Sequence, residues 1–370
     1  MDENKLFKYQ KATDSSNFSK TLNKRVNKYF LDRGMSRHAN THMIWKSVFF
    51  VSIWIGTYTL IMTDWFSPTW LILMYVLHGM TELLITYNIS HDANHMAYSS
   101  NPKVNNLLSR SFDLVGINSY IWRLLHNTSH HSFINVQGKD TAITSDKILK
   151  FAPDEEWSPM HRYQHIYASF LYCFSTLQWV LTKDFYFFIF HKDYGNVRVT
   201  KHPTKEWIIL IITKLFYFGH LLVIPIIFLS VPWYVIVIGF LLMHAFNGFH
   251  IALIFQPCHI NSESEYPMAN EKGELPNDYI NHVFSTTCDF SRKKPFRTWM
   301  LGGLNLHTAH HMYSGICHVH YPEITKILIK TADEYGYVYR EYETVGPAYF
   351  EHLRQLKKLG LQPNLKTIDS

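Results

Sequence analysis

Two distant stretches carry similar arrangements of imidazoles, HxxxHH and HxxHH. LLHNTSHHSF carries His126, His130 and His131, and LNLHTAHHMY carries His307, His310 and His311. Histidine supplies 23 of the 370 residues, and at that frequency composition alone predicts roughly 0.1 HxxHH per chain. A further cluster, HDANH, holds His91 and His95, and His259 closes the stretch FQPCH. Residues at i and i+3 or i+4 share one face of a helix. His91/His95, His126/His130, His307/His311 and His307/His310 therefore present paired imidazoles from short helices. Neutral imidazole is a good ligand for iron, zinc and copper, and nine such groups exceed what one ion needs and suit two.

The type of metal chemistry is narrowed by what the motifs lack. There is no HExxH, no ExxH, no phosphate-binding glycine loop and no GxGxxG. A histidine-rich centre holding two ferrous ions can reduce O2 and break an unactivated C–H bond, which no side-chain acid, base or nucleophile does alone. Hydroxylation, in which oxygen is returned to the carbon radical, is an alternative outcome of that oxidant. A non-catalytic membrane metal carrier is another reading, but it would need polar residues along a path through the spans. A zinc hydrolase lacks a general-base Glu in the clusters. Asp92, Asn94 and Asp140 stand close enough in sequence to orient imidazoles by hydrogen bonds, or to serve as ordinary caps. Trp122, one turn before His126, is a candidate for lining a substrate channel or for core packing. Asn247 and Gln256 are candidates for a water-mediated metal contact. His78, His161, His165, His220 and His318 read as ordinary hydrogen-bonded histidines.

These residues must be positioned by membrane elements. The chain is 47% hydrophobic and 16% aromatic but only 17% charged, below the roughly 25% charged residues usual in a soluble domain. Mean hydropathy is −0.10, which implies a few spans plus a sizeable water-facing part. Apolar runs at 43–63, 68–90, 207–229 and 233–255 are each long enough to cross. The aromatic stretch 166–190 is interrupted by Gln178, Lys183 and Asp184 and reads as an interfacial segment or packed hairpin. The short linkers after the first and third runs contain no Lys or Arg, whereas the N-terminal segment, the 91–204 block and the C-terminal block hold nearly all the basic charge. The positive-inside rule then puts those three parts on the cytoplasmic side, with the spans paired as two hairpins. All nine histidines would converge there. The basic N-terminal segment suits anionic headgroups rather than nucleic acid. Cys173, Cys258, Cys288 and Cys317 form no CxxC or secreted disulfide pattern, and no signal peptide precedes the first run.

The three clusters and the sequence around them, including HDANHMAYSSNPKVNNLLSRSFDLVGINSYIWRLLHNTSHH, HRYQHIYASFLY and GGLNLHTAHHMYSGICHVHYPEITKILIKTADEYG, resemble the integral-membrane fatty acid desaturase/hydroxylase superfamily, in particular bacterial acyl-CoA and front-end desaturases. The likeness runs over roughly 30–360. It implies an all-α membrane protein: four transmembrane helices in two hairpins under a cytoplasmic helical cap carrying a His-rich di-iron site. By the same resemblance the ligands are His91, His95, His126, His130, His131, His307, His310 and His311, with His259 in the place of the extra ligand. Two Fe ions and O2 as co-substrate are implied, acting on a long fatty acyl chain held on CoA, carrier protein or lipid. His307 stands where front-end members usually carry Gln, and HVFSTT (His282, Val283) departs from their usual pair. No His-Pro-Gly-Gly element marks a fused cytochrome b5 domain, so a separate ferredoxin or cytochrome b5 with its reductase is the expected donor. The expected organisation is a basic cytoplasmic or interfacial segment over 1–42, a desaturase domain over 43–360 and a tail over 361–370. A multi-pass location in a bacterial inner membrane, with membrane lipids as partners and no nucleic acid, is expected.

Overall fold

A computed structural model of the protein describes residues 6–11, 15–144 and 147–361. The expected tail beyond Leu361 and parts of the N-terminal segment lie outside the described residues. Regular structure is almost wholly helical. The main elements are α1 (Ser15–Asp32), α2 (Thr41–Ile61), α3 (Pro68–Asn94), α4 (Ser119–Arg123, continued by a π-helical turn over Leu124–His130), α5 (Thr204–Phe228), α6 (Trp233–His259), α7 (Tyr279–Thr286), α8 (His307–Met312), α9 (Tyr321–Glu334) and α10 (Val345–Leu361). Strands among the described residues are two-residue pairs, such as Asp289–Phe290 parallel with Glu341–Tyr342.

Among the described residues, four helices, α2, α3, α5 and α6, are long and apolar enough to cross a membrane. Their starts follow local chemistry. The Asn40 side chain accepts the Met43 amide to cap α2, Pro68 occupies the first turn of α3, and Pro232 immediately precedes α6. The apolar runs predict the second and fourth spans to end at 90 and 255. The helices instead continue one turn further, to Asn94 and His259, so His91 and His259 ride on the ends of the spans themselves. The apolar windows of α3 and α6 are 61% and 50% buried, against 28% for α2 and α5. α3 and α6 are thus the central pair and the other two flank them, turning side chains such as Trp45, Phe49, Ile208 and Ile212 outward. Gly79 and Gly239 let the central pair approach closely. A Cβ at Gly79 would stand 2.3 Å from Met243 Cγ, and one at Gly239 2.8 Å from the Tyr75 ring.

The aromatic stretch at 166–190 folds as short helices, Gln164–Tyr172, Ser175–Gln178 and Asp184–Ile189, none of them long enough to cross. Its charged interruption is a fixed point. Asp184 accepts the Asn118 amide and the Trp179 indole N–H, and pairs with Lys214 at 2.8 Å. Part of the N-terminal segment is folded against the rest of the chain. Phe18, Leu22, Val26 and Phe30, spaced four apart on α1, are buried with Phe284, Leu306, Ile324 and Leu328. Its apolar stripe packs on the cap, because α9 presents a matching stripe that would otherwise face water.

Candidate metal centre

Four elements bring the histidines together. The end of α3 is widened by a π-helical turn over Thr86–Ser90 and then presents His91, with His95 just past Asn94. In α4 the His131 amide bonds back to the His126 carbonyl at 2.8 Å, five residues away. The sequence spacing predicts an ordinary helix pairing His126 with His130. The wider turn brings His131 to the same side as well, with its Nε2 3.1 Å from that of His126. π-turns of this kind concentrate at functional sites. α8 follows Gly302 and Gly303, both at positive φ, and a Cβ on Gly302 would lie 2.2 Å from the Tyr87 carbonyl oxygen. Asp289 then caps α8, accepting the Thr308 amide at 2.8 Å and its hydroxyl at 3.0 Å. Burial pushes the Asp289 carboxyl up to about 6. His259 closes α6.

The nine imidazoles sort into two groups, all buried except the half-buried His95 and His126. His91, His95, His126 and His310 form one, and His130, His259, His307 and His311 the other. Within each group the potential ligand atoms all lie within 4.8 Å of one another. His131 stands with His310 and His311 and joins the groups, its Nε2 2.9 Å from that of His310.

The partners of the ring nitrogens indicate what belongs between them. His130 donates from Nδ1 to Asp140 at 3.0 Å, His259 to the Thr286 carbonyl at 3.1 Å, and His307 to the Leu304 carbonyl at 3.1 Å. These partners only accept, so each Nε2 is left with a bare lone pair. Yet the His130 and His259 Nε2 atoms face each other at 3.1 Å, and those of His307 and His259 at 2.7 Å. Facing lone pairs repel unless a cation sits among them. Protons are poor candidates for that cation. Burial and neighbouring imidazoles hold His131, His310 and His311 well below the usual histidine range and His307 down at about 3. The His91 and His95 Nε2 atoms are buried with no partner. A nitrogen donor set of this kind fits transition-metal ions.

The neighbouring polar residues divide. Asp140 orients His130 and is itself fixed by the Asn135 and Ala142 amides, both at 2.8 Å. Asp92 accepts from His318 Nδ1 at 2.8 Å, and its other oxygen is 4.0 Å from His91 Nδ1. His318 accepts in turn from Lys46 at 3.0 Å. Asn94 turns back to the Ser90 carbonyl at 2.8 Å rather than to an imidazole. Trp122 stacks on His126 with ring centres 4.2 Å apart. A cavity of about 280 Å³ opens beside it, lined by His91, His126, His130, Trp122, Phe255 and Gln256, with further apolar walls. Asn247 lies elsewhere, with Glu82 and Tyr217 in a smaller adjoining recess of about 20 Å³. The carbonyls of Thr286 and Leu304 leave no mark in composition, and nothing in TTCDF singles out Asp289. These orienting groups are invisible to sequence reasoning.

A bundle of four apolar helices whose central pair ends in a polyhistidine centre beside an apolar cavity defines a membrane protein able to hold metal. The chain belongs to the fatty acid desaturase family, whose model matches residues 65–343. It is similar to the sn-1 linoleoyl-lipid 6-desaturases of Synechocystis sp. (30% identical; 95% of this chain, 97% of that protein) and Arthrospira platensis (30%; 96% of each). It is also similar to the acyl-lipid (8-3)-desaturase of Physcomitrium patens (30%; 96% of this chain, 75% of that protein). The protein is an oxidoreductase that desaturates fatty acyl chains.

Proposed function

We propose that the protein inserts a double bond into a lipid-linked fatty acyl chain at a histidine-held di-iron centre, using O2. One iron is held by His91, His95, His126 and His310, the other by His130, His259, His307 and His311, with His131 between them. When bound, the iron pair supplies the reduction of O2 and the removal of hydrogen from an unactivated C–H bond. The chain's own residues do the rest. Asp140 and the Thr286 and Leu304 carbonyls hold three Nδ1 protons in place and so keep the Nε2 lone pairs turned inward. Trp122 and the apolar cavity wall hold the acyl chain extended past His91, His126 and His130 and exclude water.

The observation that carries this reading is that one cavity is lined both by apolar side chains and by imidazoles from each ligand group. The lipid carrier, and a position near the carboxyl end, rest on the likeness to the linoleoyl-lipid 6-desaturases. Removing two vicinal hydrogens yields two electrons, while reducing O2 to two waters takes four. A separate carrier, ferredoxin or cytochrome b5 with its reductase, supplies the other two. Linkers 62–67 and 229–232 contain no Lys or Arg, which supports two hairpins with the centre on the cytoplasmic side of a bacterial inner membrane. The desaturase domain is taken as 43–360, after an N-terminal segment 1–42.

The test is gas chromatography of lipids from a host that makes linoleoyl lipids, with and without the gene, together with iron analysis of the purified protein. A new alkene, lost in His130→Ala, is expected. Unchanged lipids, or an alcohol in place of the alkene, count against the reading.

A further inference from the structure

A second set of metal-ligating side chains lies inside the spans, away from the nine histidines. His78 and Glu82 stand one turn apart on α3. His220 comes from α5, where the helix widens into a π-helical turn over Gly219–Val223. One ligand atom from each of the three lies within 4.8 Å of the others. All are buried, with exposures of 0%, 3% and 6%. Glu82 precedes His91 by nine residues, about 13 Å along a helix axis.

The hydrogen bonds around the histidines fix their tautomers. His220 Nδ1 lies 2.9 Å from the Phe216 carbonyl, which only accepts, so Nδ1 carries the proton. The Thr57 hydroxyl donates to the Trp54 carbonyl at 3.0 Å and therefore accepts from His78 Nδ1 at 2.8 Å. Both Nε2 atoms thus bear lone pairs, and both are buried without a partner, as is Oε1 of Glu82. Three unsatisfied acceptors converging in a membrane interior are costly unless something is shared among them. Each imidazole is already oriented through its other nitrogen, as ligating histidines are. Trp54 stacks on the His78 ring at 5.9 Å and Tyr58 sits edge-on to His220 at 5.3 Å, enclosing the group. Read from sequence, His78 and His220 are ordinary hydrogen-bonded histidines, but the structure satisfies only one nitrogen of each.

We propose that His78, Glu82 and His220 form an intramembrane site for a divalent first-row transition-metal ion, distinct from the histidine-box centre. Two imidazoles and one carboxylate are a set that zinc and ferrous iron accept, with a remaining position for water. The ion ties α5, a loosely buried flanking span, to the central helix α3. Its role is structural.

The full-length protein is purified in detergent and equilibrated with Zn2+, and anomalous scattering at the zinc edge locates the bound ions. A peak among His78, Glu82 and His220 is expected, whether or not peaks appear at the histidine boxes. This site and the di-iron reading therefore fail independently. The double variant Glu82→Gln/His220→Gln should bind one Zn2+ fewer per chain and lose the part of its thermal stability that added Zn2+ confers through this site. Zinc at the boxes with no peak among these three residues would overturn the proposal, and so would an unchanged zinc content in the double variant. If the variant does not fold, the anomalous map of the unmodified protein decides.

Discussion

Asp140 shows how much of this centre depends on atoms that never touch a metal. Its carboxylate accepts the hydrogen bond from His130 Nδ1 and is held by two backbone amides. Asp140→Asn keeps the shape but removes the charge and offers a donor where an acceptor is needed. Activity should fall about 10- to 100-fold, or iron should be lost, because groups that orient ligands carry effects of that size. Product assays and iron content of the purified variant check this. Wild-type turnover in the variant would remove Asp140 from the site. Trp122 belongs to the cavity, not to the ligand set. Trp122→Ala should cut activity by at least about tenfold by loosening the acyl chain, while iron content stays at the wild-type level. At this scale the imidazoles were legible because three clusters share one helical spacing. Asp289, His318 and the Thr286 and Leu304 carbonyls were not, because residues far apart in sequence supply their roles through backbone atoms or ordinary side-chain types.

The spans were legible as elements, since about twenty apolar residues in a row leave little else to form. Their last turns were not. HDANH reads as a short helix of its own and His259 as closing a stretch beyond the fourth apolar run, yet both stretches continue the spans as helix. The π-turns leave no compositional trace, because a hydrogen bond to the fifth residue rather than the fourth uses the same side chains. That difference decides which imidazoles face inward. In α4 the widened turn brings His126, His130 and His131 to one side. The widened turn already absorbs one extra residue, and inserting an alanine after Thr128 adds a second, which should swing the downstream pair about 100° out of register. Iron and activity should both be lost while far-UV circular dichroism stays unchanged. An active insertion variant would show that the register of this turn is dispensable. The N-terminal segment was legible as basic, but the partner of its α1 stripe was not, since α9 lies some three hundred residues away.

On the scale of the whole molecule, the centre is shared between spans and cap, so its integrity depends on how the cap is fastened to the bundle. His352 on α10 is one fastening. Its Nδ1 donates to the Ile260 carbonyl, just beyond the end of α6, at 2.9 Å, and its Nε2 accepts from the Tyr172 hydroxyl at 2.8 Å. Burial pushes its pKa down to about 4, from an ordinary value of 6.5. The folded protein therefore resists a proton that the unfolded chain takes up readily. The neutral ring's contribution is complete above pH 6.5 and is lost as pH falls through that value towards 4. The full difference corresponds to about 3 kcal/mol. His352→Gln cannot take up the proton in either state. The wild type should be the more stable at pH 7.5, and its advantage should shrink steadily between pH 6.5 and 4.5. Thermal unfolding of both proteins in detergent across that range measures it directly. Parallel pH profiles would mean that His352 does not couple the cap to α6, and that the acid sensitivity of the assembly arises in other buried histidines.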